Sequence, residues 1–214
     1  MREKLHDYLC TPTGVLRRGE AVLLGLLGVL VLGCGWLSGY QAKLSDRLVR
    51  LHVVANSDSE DDQALKLKVR DAVLECAAGY LEQVHNADAA EQTLEAHLSE
   101  LAEAGQAVVC AEGYNYPVTA SLGVSHFPTK AYDGFALPAG DYRALRVTIG
   151  AGEGHNWWCV VFPTLCVSAA SEWQDAAVSG GLSDDEIKLM AEESDGYVLR
   201  FKCLELWDRL THRE

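Results

Sequence analysis

From Ala21 to Leu37 the chain reads AVLLGLLGVLVLGCGWL, without one charged side chain, and no other stretch limits its fate as strongly. With Ser38, Gly39 and Tyr40 the run reaches 20 residues. As an α-helix that is about 30 Å, the thickness of a hydrocarbon core. Arg17 and Arg18 stand directly before it, with Arg2 and Lys4 further back. The positive-inside rule therefore predicts residues 1–20 in the cytoplasm, 21–40 as a membrane anchor or signal segment, and 41–214 exported. A retained anchor, a cleaved signal peptide and a lipoprotein signal all fit. Gly33-Cys34-Gly35 satisfies a small-residue cleavage rule loosely, and Val31-Leu32-Gly33-Cys34 resembles a lipobox with an oversized Leu32. A buried hairpin helix of a soluble protein is the bland alternative.

The charge sits beyond that segment. Of 18 basic and 31 acidic residues in the chain, only Arg2, Lys4, Arg17, Arg18, Glu3, Asp7 and Glu20 precede residue 41. An acidic exported domain has no basic surface for phosphate, which argues against nucleic acid and against electrostatic attachment to anionic lipid. Its length suffices to bury a core of its own.

The domain changes character midway. No proline occurs from residue 41 to 116, whereas Pro117, Pro128, Pro138 and Pro163 all follow. Lys43–Asp46 reads as a short stalk. Residues 47–55 (RLVRLHVVA) read as a strand with Leu51, Val53 and Ala55 on one side. The polar run 56–62 (NSDSEDD) starts a helix, with Ser57/Glu60 or Ser59/Asp62 as its capping box. Leu65, Val69, Val73, Cys76, Tyr80, Leu81 and Val84 give that helix one apolar stripe to about residue 84. Leu94, Leu98 and Leu101 mark a second helix over 88–109. Residues 118–126 and 142–149 alternate as strands, and Gly150-Ala151-Gly152-Glu153-Gly154 is expected to fold the latter into a hairpin with 155–162. A short helix over 183–193 and a strand over 197–207 complete the pattern. The expected fold class is α+β: a mostly antiparallel sheet packed by two long helices, in the order β-α-α-β-β-β-α-β.

Catalytic patterns fail one by one. Asn56, Asp58 and Glu60 have EF-hand spacing, but Asp61 stands where the loop needs glycine and Leu67 where it needs the bidentate glutamate. The histidines do not cluster at zinc-ligand spacing. Cys159 with His126 or His155 could form a nucleophile pair, yet no orienting residue is evident. The glycines at 150, 152 and 154 lead into a strand, so they are no phosphate cradle. No metal, cofactor or small-molecule substrate is expected. Outside the cytoplasm nearby cysteines tend to pair, and the proline inside 159–166 lets the chain double back. A Cys159–Cys166 disulfide is expected, with Cys76 and Cys203 as buried small hydrophobes. In Asn156-Trp157-Trp158 neighbouring side chains must point to opposite faces. One Trp enters the core; the other is either a partner anchor or covered by a loop.

Two blocks carry a resemblance. The first runs RLHVVANSDS from Arg50 and continues through Asp62, Lys66 and Arg70 to Val73. The second comprises Phe127-Pro128-Thr129-Lys130, Pro138-Ala139-Gly140 and NWWCVVFPTLC from Asn156 to Cys166. Together, over about residues 47–167, they resemble the stage II sporulation protein R family of endospore-forming Firmicutes. The resemblance implies a protein made in the forespore and exported into the space between forespore and mother cell. There it would activate a membrane-embedded peptidase that cleaves pro-sigma-E, with no catalytic residues of its own. Motif density nominates the partner contacts: Asn56, Asp58, Lys66 and Arg70; Phe127, Pro128, Thr129 and Lys130; Asn156, Trp157 and Trp158. For each, a role in shaping the fold is the alternative. The two blocks do not place the segment after Cys166 in the family pattern, and its role in binding is open. An exported Cys-dependent enzyme and a passive envelope protein are the rival functions.

Overall fold

A computed structural model describes residues 20–29, 43–132, 134–166 and 173–191. Residues 1–40 and 41–214 are separate units. In the first, residues 20–29 are helical. No helix among the described residues is long and apolar enough to cross a membrane, and residues 30–40 of the expected span lie outside them.

The second unit is built around β1 (Val49–Val54). Leu48, Val49, Leu51, Val53, Val54 and Ala55 are all buried, so this strand belongs in a sheet interior rather than at an edge. It runs parallel to β5 (Gly140–Ile149) on one side and antiparallel to β6 (Asn156–Phe162) on the other. β2 (Val118–Phe127) pairs antiparallel with β5, giving the order β2-β5-β1-β6. The sheet is thus mixed but mostly antiparallel, as expected. The expected hairpin of 142–149 with 155–162 is wrong, because β1 lies between the two strands. The glycine segment instead carries the chain across the end of β1: the amides of Glu153 and Gly154 donate to the carbonyls of Asn56 and Ala55.

Three helices cover one face. α1 (Glu60–Leu81) starts at Ser59, whose hydroxyl accepts from the Asp62 amide at 3.2 Å, and Glu60, Asp61 and Asp62 sit at the positive end of its dipole. Of the two capping arrangements in the sequence, Ser59/Asp62 is the one used. The helix ends three residues earlier than its stripe suggests. The second long helix is two helices, α2 (Ala87–Ala96) and α3 (Leu98–Ala111), broken at His97. His97 leaves helical geometry, holds the Thr93 carbonyl through Nδ1 at 2.8 Å and stacks on Tyr80. Leu65, Val69 and Val73 meet Leu51, Val53, Leu145 and Val147 in the main core. Gly105 brings α3 close: a Cβ there would meet side chains of Val118 and Val69 at 3.0 and 3.1 Å.

A thinner layer covers part of the opposite face. It holds a small hairpin of β3 (Lys130–Tyr132) and β4 (Phe135–Leu137), then α4 (Trp173–Ser179) and α5 (Asp184–Met190). Its core joins Phe127, Tyr142 and Val160 to Trp173, Ile187 and Met190. Leu44, in the expected stalk, is buried in this layer. α5 carries the full capping box of Ser183 and Glu186. β3, β4 and α4 were not foreseen, and the expected strand 197–207 lies outside the described residues.

Candidate functional site

Strand alternation in β6 separates the two tryptophans as expected. Trp157 lies on the helical face, 36% exposed, with the Arg70 guanidinium 4.4 Å from its ring centroid. Trp158 lies on the other face, stacked against His52 at 6.0 Å with Lys130 5.9 Å away. Asn156 Oδ1 is 2.7 Å from His52 Nε2. Burial lowers the His52 pKa, and Arg146 and Arg50 push the same way against the Asn156 bond, so the ring is neutral at pH 7.

Several polar side chains of the block 56–66 bond within the chain, with Asp62 and Lys66 buried and Asp58 exposed. Asn56 Oδ1 accepts from the Ala151 amide, while its Nδ2 donates to Asp62. Asp58 takes the His155 amide at 2.6 Å and also pairs with the His155 ring. Lys66, buried, donates to the His155 carbonyl at 3.0 Å and to Gln63 at 2.6 Å. Burial depresses the Lys66 pKa and Asp58 opposes the shift. Burial works against an ionised Asp62, but hydrogen bonds from Ser57, Asn56, Ser59 and Tyr116 outweigh it and hold the carboxyl below its ordinary range. The grip explains the glycines. Gly150 has φ +58°, and a Cβ there would sit 2.2 Å from Asn56 Oδ1. At Gly154 it would sit 2.2 Å from the Ser57 carbonyl oxygen. Asn56, Asp58 and Lys66 thus each help to shape the fold through bonds within the chain.

The block 127–130 splits. Phe127 is buried edge-on to Tyr142, and the Thr129 hydroxyl accepts from the Ala139 amide at 3.1 Å. Pro128 and Lys130 are exposed. Behind Phe127 lies a residue whose importance was not foreseen: Arg50, fully buried and with no carboxylate partner among the described residues. Its guanidinium carbon lies 4.1 Å and 4.9 Å from the ring centroids of Phe127 and Tyr142. Nη2 donates to Tyr132 Oη at 2.6 Å, and Nη1 has no hydrogen-bond partner. The signal was present: alternation in β1 turns Arg50 and His52 away from Leu51 and Val53, toward the face opposite α1, α2 and α3.

Cys159 and Cys166 stand side by side with Cα atoms 5.8 Å apart, a span that suits a disulfide. They floor a groove of about 950 Å³ between α1, β6 and α4. Its apolar wall includes Leu74, Ala78, Leu81, Phe162 and Pro163, and Arg70 and Trp157 stand at its rim. Gly180 lets α4 close on Pro163, since a Cβ there would lie 2.2 Å from Pro163 Cγ. The structure thus gathers Arg70, Trp157, Cys159 and Cys166 on one side and puts Lys130, Asn156 and Trp158 on the other face. Cys76 is half-buried beside the helical core, its thiol pushed up by burial and by Glu100; Cys110 is exposed. Among the described residues no group of three or more His, Cys, Asp or Glu could hold a metal ion.

Comparison with known proteins gives one consistent result. Residues 45–172 match the family model described as stage II sporulation protein R. The chain is 37% identical over 123 residues to the stage II sporulation protein R of Bacillus subtilis (strain 168), covering 58% of this chain and 55% of that protein. It therefore spans about half the length of that relative. No solved structure matches.

Proposed function

This chain belongs to the stage II sporulation protein R family, its role lies in sporulation, and from that premise we propose an exported signal that activates a membrane-embedded peptidase by docking on it. In this reading residues 21–40 take the chain out of the forespore, with or without cleavage. The domain then meets the mother-cell peptidase in the intermembrane space, and pro-sigma-E is cleaved as a result. Cys159 and Cys166 form a disulfide there, consistent with an oxidising compartment. The chain contributes binding energy and no bond-breaking step; activation follows from preference for the active peptidase.

The observation that carries the reading is the groove rim. Most motif polar groups, Arg70 with its Asp71 partner among them, bond within the chain, whereas Trp157 stays 36% exposed beside an apolar trough with the Arg70 guanidinium over its ring. An exposed Trp backed by a guanidinium is the kind of anchor that dominates interface energetics. The test presents the full chain to membranes bearing the peptidase and a pro-sigma-E reporter. Cleavage must appear with the chain present and vanish when the peptidase's catalytic residue is replaced. Cleavage that persists with the dead peptidase would overturn the reading.

A further inference from the structure

The two edges of the sheet are treated differently. Along β6 the Tyr132 hydroxyl donates to the Trp158 carbonyl at 3.0 Å, and the Val160 amide meets Cys166 Sγ at 3.2 Å. That edge is blunted by side chains of the chain's own loops, a common protection against strand addition. Among the described residues, β2 has no such cover over most of its length. It pairs with β5 through ten consecutive positions without a bulge. The Gly150 amide donates to the Pro117 carbonyl, so odd-numbered residues of β2 turn their backbone groups toward β5 and even-numbered ones turn theirs outward. The outward Val118 amide is satisfied by Gln106 Oε1 at 2.9 Å. Beyond it no backbone bond joins Ala120, Leu122 or Val124 to a further described element.

The strand's side chains lack the usual deterrents. Val118 to Ser125 contains no charge and no proline. Val124 is 73% exposed, the most exposed large apolar side chain described in this unit, and a Cβ on Gly123 would meet nothing within 4 Å. The sequence is also complementary to itself. Paired antiparallel about Leu122, the strand places Leu122 against Leu122 of a second copy and Ala120 against Val124. On the other face Ser121 meets Gly123 and Thr119 meets Ser125. Apolar groups meet apolar groups on the helical side, and small groups meet small groups opposite. Charge points the same way. The chain carries a formal −13, yet no carboxylate stands on this seam, and net repulsion is screened beyond about 8 Å at physiological ionic strength.

We propose that β2 is a homodimerisation edge, pairing antiparallel with β2 of a second copy about Leu122 so that two sheets become one. Such an isologous contact closes on itself and leaves no further free edge there. It lies on a different strand from the Trp157 groove and stands whether or not that groove binds a peptidase.

Register-specific cross-linking tests it in the full chain in lipid vesicles. Cys10, Cys34, Cys76, Cys110 and Cys203 are replaced by Ser, and Cys159 and Cys166 are kept. Leu122→Cys, Ala120→Cys and Val124→Cys are then introduced singly and oxidised mildly. In this register the two residues at 122 lie about 5.5 Å apart between Cα atoms, within disulfide range, whereas two residues at 120 are separated by about 14 Å. Leu122→Cys alone should form covalent dimers. Ala120→Cys and Val124→Cys should stay monomeric alone and cross-link when co-expressed. Equal cross-linking at all three positions would reveal association through residues 21–40 or random collision. That result, or no cross-link at 122, overturns the proposal.

Discussion

The crossing that leads into β6 and the first side chains of β6 itself make different use of the same kind of motif. In the first, Asn56, Asp58, Asp62 and Lys66 close around the 150–154 crossing, and every one has a partner within the chain. One residue into the strand, Trp157 stays 36% exposed, with the Arg70 guanidinium, itself paired with Asp71, over its ring. Both regions stand in the family's motif blocks. Motif density therefore marks where the fold is strict as readily as where a partner binds, and only the geometry separates the two.

Substitutions should separate them as well. The largest stability loss is expected from Gly154→Ala, which drives a methyl into the Ser57 carbonyl; a loss above about 3 kcal/mol in urea unfolding is expected. A loss under about 1 kcal/mol would show that the crossing is looser than this comparison requires. Asp62→Asn comes next, at about 2 kcal/mol, because it weakens a buried acceptor that serves several half-buried donors. Its pH signature has a definite sign. The folded pKa is depressed, so the ionised carboxylate's contribution is present above the unfolded value of about 3.9 and is lost as pH falls through the folded value. The variant should lack that acid limb in a stability profile.

How much of this was legible in the sequence follows from the range of the interactions. Ser59 with Asp62, the stripe of α1 and the opposite faces of Trp157 and Trp158 are local patterns, and they read correctly. The false hairpin came from treating the glycine segment as a local turn. Nothing local says that residue 56 will thread beneath it, and a glycine required by a distant Asn side chain looks like any turn glycine. The break at His97 was hidden for the same reason, since its Tyr80 partner lies on another helix. The closeness of Cys159 to Cys166 was accessible because a separation of seven positions and a proline suffice to turn the chain back. Arg50 was not singled out from the strand that carries it. Its aromatic cage comes from Phe127 and Tyr142, far along the chain.

A smaller effect belongs to the sheet face bearing Trp158. The folded His52 pKa is lowered, so stability should decline as pH falls below the unfolded value of about 6.5 toward the folded one. His52→Gln should flatten that shallow slope in thermal melts between pH 7 and 5. A slope that survives the substitution would assign it to another histidine.

The central claim is that the Trp157 rim speaks to the peptidase while the 56–66 block only holds the fold. Trp157→Ala, with its thermal midpoint measured beside its pro-sigma-E processing, tests it most directly. Trp157→Ala should cost about 1 kcal/mol of stability, the scale of an exposed ring–guanidinium contact, and should abolish processing while the chain remains folded. Full processing by the folded variant would contradict the account.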